Sequence, residues 1–304
     1  MIVPSDMDEP TASFEQLRPQ LFQVAYGILG GVADAEEVVQ EAWLRWRRAD
    51  SRQIESPRAW LTTTVARLAL DVLDSARRRR ENYVGEWLPE PLVAGLVDKG
   101  PEERITLDES VAAALLIVLE RLSPAERTAF LLHDSFGMPF VEVAELVGRS
   151  PDSVRQLAAR ARRNVAAAKP RFPASREEQE GIIAAFAAAC AAGSLEQLLA
   201  ILDPEVVMRS DGGGRVPSAR LPLRGAERVA GALIALERKR LRDGRPFSFE
   251  LANVNGALGV VCHDGLALNV MSFGFDGGRI VAIDNLRNPE KLTHVTVPGT
   301  MFSI

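Results

Sequence analysis

PFVEVAELVGRSPDSVRQLAARARRN, residues 139–164, is the stretch on which the reading of the fold turns. Val143, Ala144 and Val147 make one face of a short helix, and Gly148 suits the left-handed conformation that ends it. Ser150 is then placed as N-cap and Pro151 as first residue of a second helix. On that helix Val154, Leu157, Ala158, Ala161 and Val165 line one side, while Ser153, Arg155, Gln156, Ala159, Arg160 and Arg163 line the other. A helix-turn-helix divides its residues this way. The apolar side grips a partner helix, and the polar side enters the major groove, where Arg and Gln read base edges and flanking arginines pair with phosphates. An ordinary helical hairpin with a solvated basic face has the same pattern. The upstream stretch LERLSPAERTAFLLHDSFGMP, residues 119–139, favours the first reading. Its Leu119, Leu122, Ala129, Phe130 and Leu132 supply the supporting helices of a compact four-helix unit.

Working outward, helical spacing also fills residues 14–80. Phe14, Leu17, Leu21, Val24, Ala25 and Ile28 recur at three and four, and Gly30-Gly31 close that helix. A second helix, about 34–48, sets Ala35, Val38, Val39, Ala42, Trp43 and Trp46 against Glu36, Glu37, Gln40, Glu41 and Arg47. Ser56-Pro57 opens a third, which runs to about residue 80. Between 81 and 101 the period fails. YVGEWLPEPL, residues 83–92, keeps Tyr83, Trp87, Leu88 and Leu92, which predicts a linker that docks on something, since a flexible spacer would be rich in Gly and Ser. Helices resume over about 102–165. Past Pro170 and Pro173 the pattern changes to helices over about 176–193, 195–202 and 226–241, an apolar Val206-Val207-Met208, and strands over about 247–254, 258–263, 266–275 and 280–286. Asn255-Gly256, Asp264-Gly265 and Asp276-Gly277-Gly278 separate the strands and signal hairpins, so this part is an α+β domain.

The 304 residues carry a formal net charge of -5, which argues against a bulk polyanion binder. The basic residues are instead local, in Arg77, Arg78, Arg79 and Arg80 and again in Arg155, Arg160, Arg162 and Arg163. DNA contact is expected at those patches alone. Cys190 and Cys262 sit in apolar sequence and read as buried thiols, with no metal spacing or disulfide framework. MIVPSDMDEP at the start is acidic and has no apolar stretch, and runs such as 111–119 are too short to span a bilayer. A cytoplasmic protein without membrane contact is expected.

DAEEVVQEAWLRWRR (34–48) followed by SPRAWLTTTVARLALDVLDSARRRR (56–80) resembles domain two of the extracytoplasmic-function sigma factors of bacterial RNA polymerase. Trp43 stands where that family often has Phe. LSPAERTAFLLHDSFGMPFVEVAELVGRSPDSVRQLAARARRNV (122–165) is similar to domain four, although SVRQLAARAR departs from the usual pattern at Gln156 and Leu157. The resemblance extends to the subgroup with a C-terminal SnoaL-like, or NTF2-like, domain. Its signatures stand in order as WLPEPL (Trp87, Leu88, Pro89, Glu90, Pro91, Leu92), DGGG (Asp211, Gly212, Gly213, Gly214) and NPEKL (Asn288, Pro289, Glu290, Lys291, Leu292).

The resemblance implies a multidomain chain: two all-α domains, the second with the helix-turn-helix, and then a cone-shaped α+β domain. Their expected spans are 10–82, 102–170 and 175–304, with a linker at 83–101. It implies that Asp34, Glu37, Gln40 and Glu41 bind the clamp helices of the polymerase largest subunit. Trp60, Thr63, Thr64, Arg67 and Arg77 to Arg80 would face the minus-ten element of the promoter. Ser153, Arg155, Gln156, Arg160 and Arg163 would face the minus-thirty-five element, with the polymerase flap region as a further partner. No cofactor is implied, and the C-terminal pocket leaves room for a small-molecule ligand. A catalytic reading of the last domain would use Asp211, His263 or Asp264 as acid or base. The preferred reading puts Asp264 in a hairpin turn, His263 at a strand end and DGGG in a tight loop. The domain then regulates by packing on the linker and is not an enzyme. The alternative is a DNA-binding regulator whose last domain binds a ligand or catalyses a cyclase- or isomerase-like reaction.

Overall fold

A computed structural model of the chain describes residues 9–50, 54–80, 83–95, 122–168, 174–295 and 302–303. Two compact units result. One joins residues 1–81 to 116–167, and the other joins 82–115 to 168–304. The described part of the linker, residues 83–95, therefore belongs with the C-terminal part of the chain.

The first unit is helical. Helix α1 (Glu9–Leu29), α2 (Val32–Arg48) and α3 (Pro57–Arg80) pack on one another. Their shared core holds Phe14, Leu21, Val24, Ile28, Val38, Val39, Trp46, Leu61, Val65 and Leu73, all under 9% exposed. Each such side chain contributes roughly 1.5–3 kcal/mol of burial. Trp46 satisfies its indole N–H on the Pro10 carbonyl at 2.9 Å and lies against Trp60, with ring centroids 5.6 Å apart. Helix α4 (Pro124–Phe130) starts at a reciprocal cap, in which Ser123 Oγ accepts from the Glu126 amide and Glu126 accepts from the Ser123 amide. A turn of π-helix follows (Leu131–Ser135), then α5 (Phe140–Val147) and α6 (Pro151–Ala168). Gly148 takes φ 66°, the left-handed cap expected of it. Arg127, 3% exposed, donates from Nη1 to the Ile28 carbonyl at 2.9 Å. A buried cation thus meets the C-terminal end of α1, where carbonyls lack helical partners.

The second unit is α+β. Helices α7 (Arg176–Ala192), α8 (Leu195–Ile201) and α9 (Ala226–Arg242) accompany a sheet of β1 (Val93–Gly95), β2 (Leu202–Asp211), β3 (Leu223–Arg224), β4 (Ser248–Val254), β5 (Ala257–His263), β6 (Leu268–Asp276), β7 (Arg279–Leu286) and β8 (Phe302–Ser303). The strand order is β1-β4-β5-β6-β7-β2-β3, and β8 also pairs with β4. The meander β4–β7 was legible in the sequence, down to Asn255, whose φ of 52° suits its two-residue hairpin. Three features were not. Val206-Val207-Met208 is the middle of a ten-residue strand that pairs in parallel with β7, β3 adds an edge, and the linker supplies β1.

Both faces of the sheet are covered. Alternate residues Met208, Val260, Cys262, Phe273 and Ile283 meet Ile183, Phe186, Leu198, Val229 and Ile234 from the helices. On the opposite face Ala252, Val254, Val261, Val270 and Leu286 meet Leu88 of the linker together with Leu292 and Val295. Burying both faces removes the polar alternation of a half-solvated strand, which is why β5 reads as a continuous apolar run.

Candidate functional site

On the helical unit, the polar side of α2 presents Glu37 and Gln40 to solvent, with Asp34 and Glu41 half-buried. Glu41 pairs with Arg45 at 2.9 Å, and Leu44 stands 42% exposed in the same rim. An apolar residue inside an acidic rim suits a basic amphipathic partner. On α3, Ser56 caps the helix by accepting from the Ala59 amide at 3.3 Å. Trp60, Thr63 and Thr64 are half-buried and Arg67 is exposed. Thr64 spends its hydroxyl on the Trp60 carbonyl at 2.8 Å, so only its oxygen lone pairs and methyl remain for a ligand. Arg77 to Arg80 continue α3 to its end, but their side chains lie outside the described residues.

Helix α6 buries Val154, Ala158, Ala161 and Val165, and Leu157 is half-buried. Arg155, Gln156, Arg160 and Arg163 are exposed and Ser153 is half-buried, so the predicted DNA-facing set lies outside the buried face of α6. Arg162 differs from its neighbours, because it pairs with Asp134 of the π-helical turn at 2.6 Å.

On the second unit, the three signature motifs meet around one carboxylate. Asp211 ends β2 and is 0% exposed. Its Oδ1 accepts from the Tyr83 hydroxyl at 2.6 Å and the Gly213 amide at 3.0 Å. Its Oδ2 accepts from the Leu88 amide at 2.9 Å and Lys291 Nζ at 2.8 Å. Lys291 also donates to the Leu88 carbonyl at 2.6 Å and lies 3.9 Å from the Trp87 ring centroid. Asn288 Nδ2 donates to the Tyr83 hydroxyl at 2.9 Å. Burial, and then the hydrogen bond to Asp211, push the Tyr83 hydroxyl well above the ordinary tyrosine value.

Gly213 has φ 58°, and a Cβ there would run into the Asn288 side-chain amide. Only glycine fits at that close approach. Further along, Leu92 and Asn255 exchange two bonds at 2.6 and 2.8 Å, β1 pairs with β4, and His294 donates to the Pro91 carbonyl at 2.7 Å. Pro89 and Glu90 are half-buried; Pro289 and Glu290 are exposed, with Glu290 paired to Arg215 at 2.6 Å. Asn255 and His294 belong to this clamp although sequence reading did not single them out for it, and Tyr83, read as a docking residue of the linker, was not paired there with Asp211. The large aromatic at 83 in a linker was the one available signal.

The other candidate acid–base groups are engaged structurally. Asp264 Oδ1 accepts from the Leu266 and Ala267 amides at 3.0 Å, and Oδ2 accepts from Arg287 at 2.6 Å. His263 Nδ1 accepts from the Gly265 amide at 3.1 Å. Both thiols are pushed up to about 12: Cys190 by burial and then Glu237, Cys262 by burial and then Asp264. Among the described residues no helix is long and apolar enough to cross a membrane.

Comparison with known proteins places these features. The sigma-70 region 2 model matches residues 13–79, and the sigma-70 region 4 model matches residues 113–165. The chain is 40% identical to the ECF RNA polymerase sigma factor SigJ of Mycobacterium tuberculosis, over 93% of each chain. It is 38% identical to the probable ECF RNA polymerase sigma factor SigI of the same species, over 68% of this chain and 71% of that one. The crystal structure of M. tuberculosis SigJ superposes with a TM-score of 0.75, covering 93% of this chain and 98% of the other.

Proposed function

The chain belongs to the extracytoplasmic-function sigma factors of RNA polymerase, and from that premise we propose that its linker is held by its own C-terminal domain until polymerase engages it. The protein binds the polymerase core, directs it to specific promoters and supports transcription initiation. Asp34, Glu37, Gln40 and Glu41 meet the clamp helices of the largest subunit, and the region 4 helices meet the flap. Trp60, Thr63, Thr64, Arg67 and Arg77 to Arg80 serve the minus-ten element, where unstacked bases need a pocket and stacking surfaces. Ser153, Arg155, Gln156, Arg160 and Arg163 serve the minus-thirty-five element. These roles follow the spans 10–82, 83–101, 102–170 and 175–304, in the cytoplasm.

The last span is an NTF2-like regulatory domain. Three helices packed against one face of the antiparallel meander support that reading. The observation that carries the regulatory reading is Asp211, whose four accepted bonds join linker, DGGG and NPEKL. A carboxylate so occupied is a poor general base, and Asp264 is similarly spent, which supports a non-enzymatic role. The clamp residues are Trp87, Leu88, Pro89, Glu90, Pro91 and Leu92 on the linker, with Asp211 to Gly214 and Asn288 to Leu292 opposite. A small molecule between helices and sheet would act by its differential affinity for the linker-held and linker-free states.

Run-off transcription with purified core polymerase tests this, comparing the full chain with one ending at Lys169. The truncated chain should give a changed transcript yield from a cognate promoter. Equal yields would remove the regulatory reading, and failure of the full chain to co-elute with core at low salt would remove the polymerase-binding role.

A further inference from the structure

Among the described residues, Arg155 of α6 is held from two directions. Its Nη1 is ion-paired with Asp152, one helical turn earlier. Its guanidinium carbon lies 5.7 Å from the centroid of the Phe140 ring, which opens α5. Phe140 is itself stacked on His133 of the π-helical turn, with centroids 3.6 Å apart and planes 23° from parallel. His133 is oriented in turn by Nδ1 donating to the Met138 carbonyl at 2.9 Å. Imidazole, phenyl ring and guanidinium thus form three layers that end at the surface, where Arg155 keeps 56% side-chain exposure. Arg160 and Arg163, further along the helix, are exposed.

A free arginine on a helix surface finds a phosphate as readily as a base, because both accept its hydrogen bonds. An arginine that rests against a ring and pairs with a carboxylate is biased toward one orientation before DNA arrives, so less rotamer freedom is lost on docking. Asp152 accepts at one of five N–H donors, which leaves others for the O6 and N7 acceptors of guanine. That carboxylate is 85% exposed and repels phosphate on every DNA sequence. Its cost is offset only where a guanine completes the arginine's bonding, and this turns general affinity into discrimination.

We propose that Asp152, Phe140 and His133 are positioning residues that make Arg155 the guanine reader of the upstream promoter element. This rests on the reading of α6 as the helix that enters that element. Arg160 and Arg163 then act as phosphate contacts without base preference.

The experiment uses holoenzyme, assembled from purified core and the full chain, on a promoter library randomised across the upstream element. Base preference is read at each position, together with overall binding at two salt concentrations. Arg155→Ala should abolish a roughly tenfold guanine preference at one position. Arg155→Lys should abolish it too while keeping the salt dependence. Asp152→Asn should reduce that same preference about threefold while raising binding to mismatched sites, and Phe140→Leu should reduce it without that rise. Arg160→Ala should weaken all sequences alike and lower the salt slope by about one. Because Asp152 and Arg155 are exposed, unchanged thermal unfolding of their variants separates loss of reading from loss of fold. If Arg155→Ala removes the preference but Asp152→Asn and Phe140→Leu retain it in full, the positioning role is wrong. If Arg155→Ala lowers binding evenly at every position, Arg155 reads no base and the proposal falls with it. If the unaltered protein gives no promoter-dependent transcript, what has failed is the underlying reading of α6.

Discussion

Asp211→Asn strikes the clamp at its centre. The substitution keeps an oxygen toward Tyr83 and Gly213 but turns an NH2 toward the Leu88 amide and Lys291, two donors that then face a donor. Lys291, 7% exposed, loses its counter-ion while remaining buried. Removing one partner of a buried pair costs about 3–5 kcal/mol, largely because the survivor is left uncompensated. The linker is also held by the Leu92–Asn255 bonds and by β1, neither of which touches Asp211. Those backbone amides are therefore remote reporters of linker detachment. If residues 83–95 lift as one unit, hydrogen exchange at the Leu92 and Asn255 amides should accelerate by roughly 2.2 to 3.7 orders of magnitude, at 1.36 kcal/mol per tenfold. Lys291→Met should do the same. The double variant should cost less than the sum of the two, with a coupling of at least about 1 kcal/mol. Exchange at Leu92 that stays within tenfold of the unaltered protein, or strictly additive single effects, would refute the clamp as a cooperative device.

Gly213→Ala should lower the unfolding midpoint of the C-terminal unit by several degrees, since it combines left-handed strain with a clash against Asn288. Gly277→Ala has a similar φ of 56° but open space around it, and should cost only about 1 kcal/mol, as differential scanning calorimetry of both variants would reveal. Cys190 and Cys262 should stay unmodified by a thiol reagent at pH 8 in the folded chain and react fully in denaturant, with mass spectrometry counting the adducts. The raised Tyr83 hydroxyl contributes stability that is fully present below the ordinary tyrosine value of 10.0 and is lost as pH climbs from there toward the folded value. Urea midpoints measured across that range should therefore fall more steeply for the unaltered chain than for Tyr83→Phe.

Much of the site was legible wherever its chemistry is local. The polar side of α6 follows from 3.6-residue periodicity between Pro151 and Val165, and the α2 rim follows from the same rule. Ser123-x-x-Glu126 and Ser175-x-x-Glu178 are capping boxes that could have been read and give two helix starts. Asp152 and Arg155, three apart on a helix, were likewise readable as a pair. The contribution of Phe140 was not, because it reaches Arg155 across the turn between two helices.

That 87–92, 211–214 and 288–292 are special was implied by the family resemblance, whereas the sequence by itself determined most of the helices, the hairpins of the β4–β7 meander, the linker and which side of each helix is polar. Those properties depend on neighbours within a few residues along the chain. Only the tertiary structure decided that the three motifs share one buried carboxylate, for the bonds involved join Leu88 to Asp211 across 123 positions and Tyr83 to Asn288 across 205. It also decided that Val93–Gly95 is a strand: three residues are too few for an alternating pattern, and an edge of β4 must be present to receive their hydrogen bonds.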